Sequence, residues 1–143
     1  RGMVKSGNYT CFCGICGSLF QNFGEEVIYW LTINEQNTMI CIRGQLDFLK
    51  AKTANKKGTY QQNHHMMLAQ AKVMKLFHQM VSGGKIGPAL NLTAMYQESS
   101  RPEDAIAAHN WEVLRCWNFA DVPVFGSYHP LAVGIYEGQR NCT

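Results

Sequence analysis

Apolar positions along the chain recur at two different periods. From Tyr9 to Phe23, Phe12, Ile15, Cys16, Leu19, Phe20 and Phe23 fall at spacings of three and four, which predicts one helical stripe. Gly14 and Gly17 each weaken such a helix by about 1 kcal/mol relative to alanine, so packing must hold it, and Gly24 is a natural stop. Val27 to Ile33 then forms an unbroken apolar run rich in β-branched and aromatic residues. A run without alternation predicts a strand buried on both faces, as in a parallel sheet covered by helices.

The helical period returns from Tyr60 to Met80, where Met66, Val73, Phe77 and Met80 make one apolar face and Met67, Ala71 and Met74 widen it. The methionines read as core filler. Ser82-Gly83-Gly84 ends this helix, and Lys85 to Leu92 reads as a second short strand in spite of Pro88. Ser100-Arg101-Pro102-Glu103 has the form of a capping box with an early proline, so a third helix should start there and run to about Trp117. Its buried face would use Ile106, Val113, Leu114 and Trp117. The pattern between Met39 and Gly58 does not resolve into an element, and its polar second half reads as a surface connection. The order helix, strand, helix, strand, helix, with long helical spacers, predicts an α/β fold with parallel strands.

Composition narrows the function classes. Apolar residues make up 46% of the 143 positions and charged residues 16%, which excludes a disordered, solvating chain. The net charge is +3, and Lys50, Lys52, Lys56 and Lys57 cluster in one stretch. No aromatic residue interleaves them for base stacking, so a solvated face is predicted and no nucleic-acid partner. No apolar run approaches the roughly 20 residues of a membrane span, and no signal peptide opens the sequence, so no membrane partner is expected. The six cysteines are Cys11, Cys13, Cys16, Cys41, Cys116 and Cys142. They are crowded or scattered rather than spaced for bridges, which fits reduced thiols and a cytoplasmic protein. The N-x-S/T patterns at Asn8, Asn91 and Asn141 are read as chance. Cys11, Cys13 and Cys16 with His64 or His65 could in principle hold a metal. A structural zinc site usually shows two separated ligand pairs and Cys16 lies on the helical stripe, so no metal and no cofactor is expected.

Asn34 and Glu35 stand where the first strand should end. In a parallel α/β barrel, catalytic side chains project from the C-terminal ends of strands, and a carboxylate behind a buried strand is well placed to act as a proton donor. An Asn-Glu pair after a strand can equally just open a loop or cap a helix. Asn91, near the end of the second strand, would face the same side and is a candidate for substrate contact. His64 and His65 read as packed, hydrogen-bonded residues.

Several segments together resemble one enzyme family. Trp30-Leu31-Thr32-Ile33-Asn34-Glu35 is similar to the W-x-T-F/I-N-E-P motif around the acid/base carboxylate of family 1 glycoside hydrolases. Phe23-Gly24-Glu25 resembles the family's FG-acid turn. His64-His65-Met66-Met67-Leu68-Ala69-Gln70-Ala71 resembles its HHxLLAHA helix. Gly84-Lys85-Ile86-Gly87 with Leu90-Asn91 resembles its GKIGxxLN strand, and Pro102-Glu103-Asp104 with Ala107-Ala108 the helix after it. Phe119 to Tyr128 resembles its FxDPxxxGxYP segment. The resemblance runs from about Tyr9 to Pro130 in order. Gln36 replaces the usual proline. With Tyr60 to His65 and Ser99 to Asp104, that substitution makes the bacterial 6-phospho-β-glucosidase branch the nearest likeness.

The resemblance implies a partial TIM (β/α)8 barrel, an open fragment of parallel strands and covering helices around the fourth and fifth barrel strands, with residues 1–143 an incomplete catalytic domain. It implies that Glu35 protonates the leaving glycosidic oxygen and later deprotonates water, while Asn34 bonds the sugar 2-hydroxyl. The substrate would be a β-glucoside or 6-phospho-β-glucoside. A retaining mechanism also needs a second carboxylate about 5 to 5.5 Å away as nucleophile. The family carries it in a Glu-Asn-Gly motif, and no Glu-Asn-Gly occurs in this sequence. Two function classes therefore stay open. One is a segment of a β-glycosidase, inactive in isolation. The other is a non-catalytic remnant serving as a structural or assembly module. An open piece of barrel would also expose sheet edges through which the chain could self-associate.

Overall fold

A computed structural model describes residues 8–41 and 56–138, and its contacts divide the chain into two compact units, one ending at Ala89 and the other beginning at Leu90. The expected surface connection lies largely outside the described residues, as do Lys50 and Lys52 of the basic stretch.

The first unit starts with helix α1, Asn8–Phe23. The predicted apolar surface splits into two rows. Phe12, Cys13, Cys16 and Phe20 face the core, whereas Ile15, Leu19 and Phe23 are exposed. Residues within each row are four apart and the two rows lie side by side on the helix, with α3 and the Trp30 ring of β1 packed against one of them. Gly24 closes α1 by donating its N–H to the Phe20 carbonyl at 2.9 Å. A Cβ on Gly24 would collide with that carbonyl and with Val81, which accounts for the glycine in the Phe23-Gly24-Glu25 turn.

Strand β1 is Tyr29–Asn34 and strand β2 is Lys85–Ala89. They pair in parallel, Tyr29 opposite Lys85, Trp30 opposite Ile86, Leu31 opposite Gly87 and Asn34 opposite Ala89. The step from Leu31 to Asn34 spans one residue more than the step from Gly87 to Ala89, so β1 bulges just before its end. β1 starts later than the apolar run suggests. The Val27 N–H is held by the Phe23 carbonyl, and the Val27 carbonyl accepts the Trp30 indole N–H at 2.8 Å, which keeps Val27 in the turn. β2 ends before Asn91. Burial also differs from the reading of two covered faces: Tyr29 is 72% exposed and Leu31 71%, while Trp30 packs inward. Among the described residues, helices cover one face of this two-stranded sheet.

After β1 a helix α2 begins, with 36–41 its described part. Helix α3, Lys56–Met80, joins β1 to β2. Its buried side carries Val73 and Phe77, as predicted, but also Thr59, Gln62, Asn63 and Gln70, while Met80 is exposed. The core of the unit is Phe20, Val73, Phe77 and Val81 with Trp30 and Ile86 against it. Phe20, Trp30 and Phe77 pack edge to face or tilted, with ring centres 5.0 to 6.2 Å apart. Gly84 lets the chain pass this cluster, since a Cβ there would come within 2.7 Å of the Phe77 ring. The next amide, Lys85 N–H, donates to the Ile28 carbonyl at 2.7 Å and starts the pairing with β1.

The second unit runs through an irregular segment into helix α4, Pro102–Glu112. The expected capping box does not form. Arg101 is the residue before the first turn, and no side chain caps it. Pro102 offers no N–H, and Asp104 is engaged by Ser99 and Arg101 instead. The helix also does not stop at Trp117. It passes through a π-helical turn, Val113–Trp117, into α5, Asn118–Phe125, and a final helix α6, Pro130–Gly138. The extra residue of the π turn rephases the buried face to Val113, Cys116 and Phe119, leaving Ile106 and Trp117 exposed. α6 packs against the π turn, with Ala132 buried.

Candidate active site

Asn34 and Glu35 stand at the C-terminal end of β1, beside Ala89 at the C-terminal end of β2. Both side chains are exposed. Glu35 is the one non-glycine residue with positive φ among the described residues, at 45°. Left-handed backbone is uncommon for a residue with a long side chain, and it recurs where the surroundings over-determine the conformation. Here both backbone groups are held. The Glu35 N–H donates to the Ala89 carbonyl at 2.6 Å, and its carbonyl accepts the Met39 N–H at 3.0 Å as α2 begins. Glu35 is thus the hinge between the bulged strand end and α2.

Polar side chains of α3 lie beneath this hinge. The Thr32 hydroxyl donates to Gln70 Oε1 at 2.6 Å and has the Gly87 carbonyl at 3.2 Å as an alternative. Gln36 is buried, and its Nε2 donates to Asn63 Oδ1 at 2.8 Å and reaches the Asn63 carbonyl at 3.4 Å. Asn63 and Gln70 are seven residues apart, two turns, so they share one helical face with Phe77 a further two turns on. The face is graded: aromatic contact supports the start of β1, and amides support its end. Sequence reading missed Asn63, Gln70 and the role of Gln36. Their signal was the heptad spacing of polar residues on an otherwise apolar stripe. Gln70 occupies the seventh position of the HHxLLAHA pattern, where the pattern has histidine.

The other sequence candidates are placed as follows. Asn91 comes two residues after Ala89, at the start of the second unit, half-buried, with the Thr93 hydroxyl donating to its Oδ1 at 3.5 Å. It is not part of β2. His64 and His65 lie on α3 with ring centres 6.4 Å apart, and His65 Nε2 is 3.2 Å from Gln61 Nε2. Cys11 is exposed, Cys13 and Cys16 are half-buried on α1, and all three are free thiols. Burial, then the neighbouring Cys13, raises the Cys16 thiol above its ordinary range. Among the described residues no three His, Cys, Asp or Glu side chains converge as metal ligands. In the first unit, the remaining described carboxylates are Glu25 and Glu26, in the turn ahead of β1. A six-residue strand puts them roughly 20 Å from Glu35, too far to act on the same bond.

Comparison with known proteins follows the same outline. The sequence profile of glycosyl hydrolase family 1 matches residues 5–140. The aryl-phospho-β-D-glucosidase BglC of Bacillus subtilis is 32% identical over 97% of this chain and 28% of its own length. A 6-phospho-β-galactosidase of Lacticaseibacillus casei is 32% identical over 90% of this chain and 26% of its own length. The chain therefore spans between a quarter and a third of these relatives. Among solved structures, the β-glucosidase from Thermotoga maritima in complex with deoxynojirimycin superimposes with a TM-score of 0.78, at 23% identity, over 93% of this chain and 30% of the other. The family 1 β-glucosidase of Exiguobacterium antarcticum gives 0.78 over 96% of this chain at 22% identity. The fold is part of a TIM (β/α)8 barrel, with parallel strands and covering helices. No described helix is long and apolar enough to cross a membrane.

Proposed function

The chain belongs to glycosyl hydrolase family 1, and on that premise we propose that it is the acid/base-bearing segment of a retaining β-glycosidase that hydrolyses 6-phospho-β-glucosides. Glu35 is the proton donor. Its carboxyl O–H donates to the glycosidic oxygen as the bond to the aglycone breaks, and the resulting carboxylate later takes a proton from the incoming water. Asn34, one residue earlier on the same strand end, binds the sugar 2-hydroxyl. Asn91 contributes a substrate contact from the segment after β2. The observation that carries this reading is the hinge itself: a carboxylate at the end of a bulged parallel strand, in left-handed backbone held by two hydrogen bonds.

The phosphorylated substrate is supported by the names of the relatives, an aryl-phospho-β-D-glucosidase and a 6-phospho-β-galactosidase at 32% identity. A sugar phosphate does not cross a bilayer unaided, which supports a cytoplasmic site of action.

The isolated chain is inactive in this reading, because its sequence has no Glu-Asn-Gly motif to supply the nucleophilic carboxylate about 5 to 5.5 Å from the acid. Residues 1–143 are an incomplete catalytic domain, and their open sheet edges favour self-association. A non-catalytic assembly module remains the second reading, favoured by the distance of Glu25 and Glu26 from Glu35.

Hydrolysis of nitrophenyl 6-phospho-β-glucoside tests both readings. The purified chain should release no nitrophenol. A hybrid enzyme, in which this chain replaces the aligned segment of the B. subtilis aryl-phospho-β-D-glucosidase, should release it and lose at least about a hundredfold in rate on Glu35→Gln. A folded hybrid indifferent to Glu35→Gln refutes the assignment of Glu35. Glu35-dependent release by the chain alone refutes the missing nucleophile.

A further inference from the structure

The acid/base residue of a glycosidase must be aimed to within a fraction of an ångström, because small misplacements in a reacting geometry are costly in rate. No hydrogen bond from another described side chain reaches the Glu35 carboxylate, so what the fold sets is the line of the Cα–Cβ bond from which the side chain reaches out. That backbone is in the left-handed region, at φ 45°. Turning it to an extended conformation would swing the Cα–Cβ bond, and with it the carboxylate, away from its present line.

Two strand features bring the chain to this conformation. The β1 bulge between Leu31 and Asn34 alters the twist just before Glu35, and the Glu35 N–H reaches across to the Ala89 carbonyl at 2.6 Å. A third feature lies on the other side. Gln36 is 1% exposed and Asn63 3%. Their amides are joined at 2.8 Å, with a longer contact of 3.4 Å to the Asn63 carbonyl. A buried amide that loses its partner is heavily penalised, so this pair locks the first residue of α2 onto α3.

The family pattern has proline where this chain has Gln36. A proline restrains the residue before it to extended backbone, and it has no side-chain amide with which to reach α3. Gln36 does the reverse on both counts. It releases Glu35 from the pre-proline restraint and supplies a tether in its place.

We propose that Gln36, held by Asn63, is a positioning residue for Glu35: the buried amide pair keeps Glu35 in the left-handed conformation that aims its carboxylate. This inference rests on the reading of Glu35 as the acid/base residue. Gln36 and Asn63 touch no substrate and act only through the Glu35 backbone.

The experiment is solution NMR on the full, isotope-labelled chain, reading the backbone couplings and carbon shifts of Glu35, which separate left-handed from extended φ. The unmodified chain should give the left-handed signature and a slowly exchanging Gln36 side-chain amide. Gln36→Leu, which keeps the volume but cannot donate, and Gln36→Pro should both move Glu35 towards extended φ. Asn63→Leu should do the same, and Asn63→Asp, which keeps the acceptor, should retain the native signature. A merely structural role for Gln36 would lower the melting temperature in these variants and leave the Glu35 signature alone, and that result overturns the proposal. If the variants do not fold, the unmodified chain decides: an extended Glu35, or a Gln36 amide in fast exchange, overturns it too. Turnover of the hybrid enzyme and its Glu35→Gln variant measures the underlying functional reading separately, so failure of the two is told apart.

Discussion

Thr32 offers a sharp test of how α3 supports the strand end. Its hydroxyl has one proton, given to Gln70 Oε1 at 2.6 Å, with the Gly87 carbonyl at 3.2 Å as a second choice. Thr32→Val keeps the shape and removes the donor. Gln70, 2% exposed, then holds an acceptor without that partner. Stranding a buried polar group costs about 1 to 3 kcal/mol, and the half-burial of Thr32 favours the lower part, about 1 to 2 kcal/mol. Gln70→Leu should cost less, about 0.5 to 1 kcal/mol in hydrogen bonding, because the Thr32 hydroxyl can turn to Gly87. The double variant strands neither group, so its cost should fall short of the sum by about 1 kcal/mol. Urea unfolding followed by tryptophan fluorescence measures all three differences, provided the denaturant slope is unchanged. Additivity within about 0.3 kcal/mol refutes the pairing. A larger penalty for Gln70→Leu than for Thr32→Val, after matched volume controls, refutes the Gly87 alternative.

Three further outcomes follow from the packing and the charges. Phe77→Ala removes a ring that is 0% exposed and in contact with Phe20 and Trp30, and should destabilise the first unit by about 3 to 5 kcal/mol in the same assay. Leu31→Ser, on the uncovered strand face, should change stability by no more than about 0.5 kcal/mol while raising the monomer fraction in light scattering; an unchanged association state would mean that face is not the sticky one. The Asp104 carboxyl is held below its ordinary value of 3.8 by the Ser99 hydroxyl and then by Arg101. A depressed carboxyl stabilises the fold above its unfolded value and loses that contribution as pH falls through the folded one. Once the intrinsic pH dependence of exchange is divided out, amide opening in the first turn of α4 should therefore stay constant down to about pH 4 and accelerate only below it. Ser99→Ala should bring that acceleration to higher pH.

Much of the first unit was legible because the sequence carries two clear periods. The apolar run after Gly24 is a strand, the stripe through Val73 and Phe77 is a helix, and the parallel pairing follows from the long helix between the strands. The motif around Glu35 put the candidate carboxylate at a strand end, where it stands. The failures have separate physical causes. Unbroken hydrophobicity in Val27 to Ile33 reflects two faces suited to burial, while helices here cover one, so Tyr29 and Leu31 are exposed. Asn63 and Gln70 look like surface residues by type, and only packing reveals that their amides are used inside. The positive φ of Glu35 depends on the bulge, on Ala89 and on the residue at position 36, none of which has a local periodicity. The capping box at Ser100 was a genuine local pattern, but the helix starts one residue later, with Arg101 as the residue before its first turn and no side chain capping it.

The π turn at Val113–Trp117 has a consequence for how genes of this kind can vary in length. Such a turn is an α-helix that has absorbed one residue too many without breaking. Removing a single codon there would restore regular winding and rotate α4 by about 100° relative to α5. α4 contributes no buried residue in this chain, so a deletion at its junction with the turn, ahead of the buried Val113, displaces no core contact of its own. The downstream face of Phe119 and Ala132 would keep its place. One-residue insertions and deletions should accordingly accumulate at this helix among homologous genes, and be purged from α3, where the same slip would carry Asn63, Gln70 and Phe77 off the strand together.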